Sequence, residues 1–175
     1  MSTLLVTTRF SDYTWRMNEE YRNRIEHNGC LYGSPQEITH KITSEKLLFV
    51  VEMNNTTNQI LGIGLIRNRP LTDKYYKIYS DGNYNRFVYK GMYRVTRDDL
   101  LNYNNSIVDI LEYIVFKEKN HLKRGSGFTS ITKELIKRKK NTSYHTITIE
   151  HLIQLIKGCF YKLYKNDATN TNNEK

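Results

Sequence analysis

Cysteine is almost missing from this sequence: Cys30 and Cys159 are the only two, far apart, with no CxxC or Cys/His spacing to hold zinc. That excludes a disulfide-stapled scaffold and a zinc finger or knuckle. Proline is as rare, with only Pro35 and Pro70, so no proline-rich linker divides the chain. No apolar run approaches the ~18 residues that span a bilayer. The opening MSTLLVTTRF lacks the charged start, long apolar centre and small-residue cleavage site of a signal peptide. The expectation is a soluble intracellular protein, cytoplasmic or nuclear, with both thiols reduced. Chemistry-bearing patterns are missing as well. The five histidines, His27, His40, His121, His145 and His151, show no HExxH, HxE or HxH spacing. Neither GxSxG, the Walker GxxxxGK[ST] nor the Rossmann GxGxxG occurs. No catalytic residue, no metal site and no cofactor is therefore expected.

What is present in excess is positive charge, and it is unevenly placed. Eleven Lys or Arg fall between Lys119 and Lys165 against only Glu134 and Glu150, while the other 16 basic and 16 acidic residues cancel, so the formal charge of +9 sits in the C-terminal quarter. Clustered cations release counterions from phosphates when they bind, which favours nucleic acid, RNA or DNA, as partner over a membrane. An acidic protein is the other partner that such a face would suit. Asparagine and tyrosine are abundant, with 14 Tyr, a composition that AT-rich coding produces, as in giant DNA viruses and some protists.

The pattern along the chain predicts one α+β domain over residues 1–166 and a disordered polar tail over 167–175. Leu4–Arg9 reads as a first strand and Ser11–Arg24 as a helix capped by Ser11 or Asp12. A short amphipathic turn is expected at Pro35–Lys41. Two apolar runs, Leu47–Val51 and Ile60–Ile66, flank the polar loop Asn54–Gln59 and predict a buried β-hairpin. Its second strand carries Gly62 and Gly64 on one face, which makes the hairpin a candidate floor for a ligand or a second backbone. Tyr84–Val95 reads as extended with a bulge at Gly91, and Asp98-Asp99 as a helix start. Helices follow over Ser106–Lys117, with Ser106 as cap, Ile131–Lys140 and Ile149–Tyr164, where Cys159 falls on the apolar face.

Two groups of residues are candidates for contact with a ligand. The loop His121-Leu-Lys-Arg-Gly-Ser-Gly-Phe-Thr129 has glycines at alternate positions, Gly125 and Gly127, beside Lys123 and Arg124. Such a loop turns backbone N–H groups toward an anion, and a helix opened by Thr129 would add its positive end. Lys137 and Arg138 extend the basic run. The second group surrounds the hairpin: Trp15, the only tryptophan, is either an anchor of helix to sheet or the wall of an aromatic pocket. Glu52 is placed to pair with an arginine such as Arg67 across the hairpin, or to accept a base amino group.

The order of Trp15, Leu47–Glu52, Ile60-Leu-Gly-Ile-Gly-Leu-Ile66 and Phe87-Val-Tyr-Lys-Gly-Met-Tyr-Arg-Val-Thr-Arg-Asp-Asp-Leu100 resembles the PUA-like barrel superfamily, with its ASCH, EVE and YTH domains, over roughly residues 1 to 118. The resemblance implies a small, strongly curved mixed or antiparallel sheet packed by three to four helices. It also implies RNA or DNA binding, with a modified or flipped base seated between barrel and helices. Trp15, Asn18, Tyr32, Asn54 and Arg67 are the positions where that pocket would lie. A rival resemblance is to the GNAT acetyltransferases, in which FVVEMNNTTNQILGIGLI would be the central hairpin and Lys123-Arg-Gly-Ser-Gly-Phe128 the loop for acetyl-CoA. A third reading is a structural or virion-associated protein that docks through its basic region.

Overall fold

A computed structural model describes residues 3–139 and 146–165. The expected tail, and Lys140 with His145, lie outside those residues. The first strand, β1 (Leu4–Phe10), ends at Ser11, whose side chain accepts from the Thr14 N–H while Thr14 returns the bond, so a complete capping box starts α1 (Asp12–Arg24). A short strand, β2 (Cys30–Ser34), follows. Residues 35–46 are irregular where the amphipathic turn was expected, with Ile38 buried and its N–H donated to the Tyr89 hydroxyl. The hairpin forms as β3 (Leu47–Asn54) and β4 (Gln59–Arg67), antiparallel, with a register shift at Glu52/Met53. β1 runs parallel to β3, from Leu4 opposite Leu48 to Phe10 opposite Asn54, because α1 and β2 carry the chain back across the sheet.

The expected Tyr84–Val95 strand is broken in two. A 3₁₀ turn at Gly82–Asn85 precedes β5 (Phe87–Gly91), and β6 (Tyr93–Thr96) begins after Met92. The break has a pairing cause: β5 is bonded to β2, whereas β6 is bonded to β4. Together with β7 (Thr129–Ser130) the result is a five-stranded mixed sheet ordered β6-β4-β3-β1-β7 and a separate ribbon β2-β5. The sheet is not closed into a barrel.

Three further helices complete the described chain. α2 (Arg97–Phe116) opens on a Thr96–Asp99 capping box and kinks at Asn104, whose side chain, rather than Ser106, caps the second half. α3 (Lys133–Lys137) is shorter than expected, and α4 is Ile149–Tyr164 with Cys159 buried. Alternating side chains of β3 serve two cores. Phe49, Val51 and Met53 join α2 and α4 on one face, while Leu48 and Val50 join the aromatic cluster of α1 and the ribbon on the other. At the edge strand β6, the Tyr164 hydroxyl donates to the Arg94 carbonyl (2.6 Å) and accepts from its N–H (3.2 Å), which occupies groups that an edge would otherwise offer to another chain. No described helix is long and apolar enough to cross a membrane.

His27, buried after α1, sits where the ribbon meets the sheet, with Nε2 3.0 Å from the Gly91 carbonyl and 3.2 Å from that of Cys30. Burial lowers its pKa below the usual 6.5, and Lys90 and Arg22 push the same way. The unfolded chain therefore binds the proton at a higher pH than the fold does. The contribution of His27 to stability is flat above about pH 6.5 and falls as pH drops below it, at no more than about 1.4 kcal/mol per pH unit for one proton. Melting temperatures measured from pH 7.5 to 5 for the wild type and His27→Gln should show the smaller loss in the variant.

Candidate functional site

The glycine-bearing face of the hairpin is not an open floor. A Cβ on Gly64 would overlap the Tyr32 hydroxyl and the Cys30 sulfur, and one on Gly62 would come within 2.9 Å of both Glu52 Oε2 and an Arg94 nitrogen. The space that the missing side chains leave is taken by the chain's own polar groups. Glu52, 1% exposed, accepts from the Tyr32 hydroxyl (2.7 Å) and from Arg94 through Nε (2.9 Å) and Nη2 (2.7 Å). Its partner is thus Arg94, not Arg67. Register explains the change: Arg67 stands opposite Leu47 at the far end of the hairpin and is exposed, whereas Arg94 pairs with Gly64, two residues along β4 from Gly62, the glycine opposite Glu52. Burial drives the Tyr32 phenol well above its usual pKa and the Cys30 thiol up to about 12, so both stay protonated at neutral pH.

Trp15, Asn18 and Tyr32 do come together, as one network beneath the surface. Trp15 meets Phe10 edge-on, with ring centres 4.9 Å apart, and the guanidiniums of Arg22 and Arg94 lie over its ring at 5.3 and 5.1 Å. Asn18 donates to the Leu31 carbonyl (2.7 Å) and the Tyr79 hydroxyl (3.0 Å) and accepts from Arg22 (2.8 Å). Asn54 is spent on the hairpin turn, accepting from the N–H groups of Thr56 and Thr57 and donating to Asp12.

Above this network lies a groove of about 290 Å³, walled by the end of β1 (Thr8, Arg9), the start of α1 (Ser11, Thr14), Tyr79, Tyr84, Asn55 and Gly125. It brings the basic glycine loop to the sheet. Arg9 holds that loop, donating to the Leu122 carbonyl (2.5 Å), the Gly127 carbonyl (3.1 Å) and the Thr129 hydroxyl (2.6 Å). Asn55 adds a bond to the Lys123 carbonyl (2.9 Å). Gly125 and Gly127 have φ of 94° and 71°, the left-handed region in which a side chain is strained. Thr129 does not open a helix. It lies in β7, paired with Thr7, and α3 starts only after Thr132, so the helix end expected beside the loop is not there. Among the described residues the N–H groups of residues 124–127 donate to no protein acceptor, and no carboxylate lies within ion-pair distance of Arg9. Burial lowers the Arg9 pKa, as expected of a cation without a counterion.

Lys137 and Arg138 are exposed but belong elsewhere. Leu135 and Ile136 of α3 pack on the core of α2 and α4, whereas Phe128 of the glycine loop packs on Tyr32 and Tyr89 across the sheet. Lys139 is buried, donating to the Lys117 carbonyl (2.7 Å). The groove residues that the sequence reading passed over are Arg9, Asn55, Tyr79 and Tyr84. The readable signs were a lone arginine closing an apolar strand and the tyrosine-rich stretch after the hairpin. Among the described residues no cluster of His, Cys, Asp or Glu could hold a metal ion. Comparison with protein-family models, curated proteins and solved structures finds no match to this chain.

Proposed function

We propose that the protein binds nucleic acid through this groove and the basic glycine loop, as a recognition domain without catalysis of its own. The observation that carries the reading is Arg9, a half-buried cation without a carboxylate partner among the described residues, in a groove lined also by Tyr79, Tyr84 and Gly125 of the basic loop. A phosphate would complete that charge, and aromatic rings beside it suit a base. A PUA-like architecture belongs to the same proposal. Its support is the passage of one extended segment from the ribbon into the sheet at Met92, with the ribbon sharing a core with α1 on one face of the sheet.

Fluorescence anisotropy at low salt with labelled single-stranded RNA and duplex DNA tests the reading, beside thermal unfolding with acetyl-CoA. Micromolar or tighter binding of an oligonucleotide, weakening steeply with salt, is the expected result. Stabilisation by acetyl-CoA with no oligonucleotide affinity would replace this reading by the acetyltransferase one. Stable co-purification with a protein assembly, again with no oligonucleotide affinity, would point to a structural role.

A further inference from the structure

The groove also states which form of nucleic acid it suits, an inference that rests on the proposed function. We infer that it takes one unpaired nucleotide of a single strand, with the phosphate on Arg9 and the glycine loop and the base against Tyr84. Size is the first reason: about 290 Å³ sits at the low end of ligand pockets and suits one nucleotide in a concave site, whereas the paired bases of a duplex are stacked away from such a site.

The second reason is that the exposed ring of the groove stands on a fixed segment. Tyr84 is 39% exposed and Tyr79, which it meets, only 5%, and the segment that carries them is held by Asn85, itself 4% exposed. Its side-chain oxygen accepts from the N–H groups of Ile78 (3.0 Å) and Tyr79 (2.9 Å), and its nitrogen donates to the Tyr79 carbonyl (2.8 Å) and the Tyr75 hydroxyl (3.3 Å). Tyr79 and Tyr84 then meet edge-on at 6.3 Å. Rings held in place in the free protein lose little freedom on binding, and a base can stack on them only when it has left a duplex.

The third reason is the charge opposite. Three of the five N–H donors of Arg9 hold the loop. The other two have no acceptor among the described residues, and neither do the N–H groups of residues 124–127. These are the donors that a phosphate in the groove would accept from. Arg9 and Gly125 therefore line the same groove as Tyr84, which brings a phosphate site and a base site into one cavity.

The test compares a labelled single strand, the same strand in a duplex, and a strand of abasic sites, with the wild type, Tyr84→Ala and Tyr84→Phe. Tyr84→Ala should weaken single-strand binding about tenfold and leave duplex and abasic binding unchanged, with Tyr84→Phe close to wild type. Melting temperatures show whether each variant is folded. Duplex binding as tight as single-strand binding, with Tyr84→Ala indistinguishable from wild type, overturns the inference and leaves nucleic-acid binding standing. Binding of neither form at low salt overturns both.

Discussion

Arg94→Ala should lower the unfolding free energy by about 3–5 kcal/mol, the cost of leaving one member of a buried ion pair alone. The carboxylate it abandons, that of Glu52, is 1% exposed and would keep only the Tyr32 hydroxyl as a donor. With the guanidinium in place the carboxylate lies buried against Gly62 of β4 and the Tyr32 hydroxyl of β2. The variant also removes one of the two cations over Trp15, so the α1 contact loosens with it. Urea denaturation gives the magnitude. The double variant Glu52→Gln/Arg94→Leu separates charge from shape, since replacing both partners avoids the stranded carboxylate and should recover much of the loss. A loss below about 1 kcal/mol in Arg94→Ala would mean that Glu52 is solvated in the fold, and the account of the glycine face would be wrong.

The hairpin shows what could and could not be read from the chain. Its strands were legible because apolar runs and turn residues are local signals, and the same holds for α1 and α4, whose caps stand beside their periodic faces. The pairing of β1 with β3, parallel and forty-four residues apart, left no local mark. Nor did the division of residues 84–95 between two sheets, since pairing partners do not alter the periodicity of a strand. The site follows the same rule. Gly62 and Gly64 announced a close approach correctly, but whether a ligand or the protein itself makes that approach is a question of tertiary structure, and here it is Tyr32, Cys30 and Arg94. Arg9 was the reverse case. A strand-end arginine looks like a solvated charge until the fold lays the glycine loop across it.

The two-sided placement of the basic residues leads to the largest expected effect on binding. Lys123 and Arg124 adjoin Gly125 in the groove wall, while Lys137 and Arg138 stand on the element packed against the opposite face of the sheet. If each of the first pair meets one phosphate of a single strand, Lys123→Gln/Arg124→Gln should flatten the slope of log K against log salt by about 1.4 and weaken binding about 25-fold at 0.1 M salt. Lys137→Gln/Arg138→Gln should lower the slope by less than half as much, because a strand held in the groove meets that pair only by wrapping around the sheet edge. The quadruple variant should show the sum of the two, as separate sites do. Equal losses from the two pairs would mean that the C-terminal quarter acts as one continuous phosphate track instead. A quadruple variant that binds as tightly as the wild type, with the same salt slope, would remove nucleic acid as the partner of the basic region.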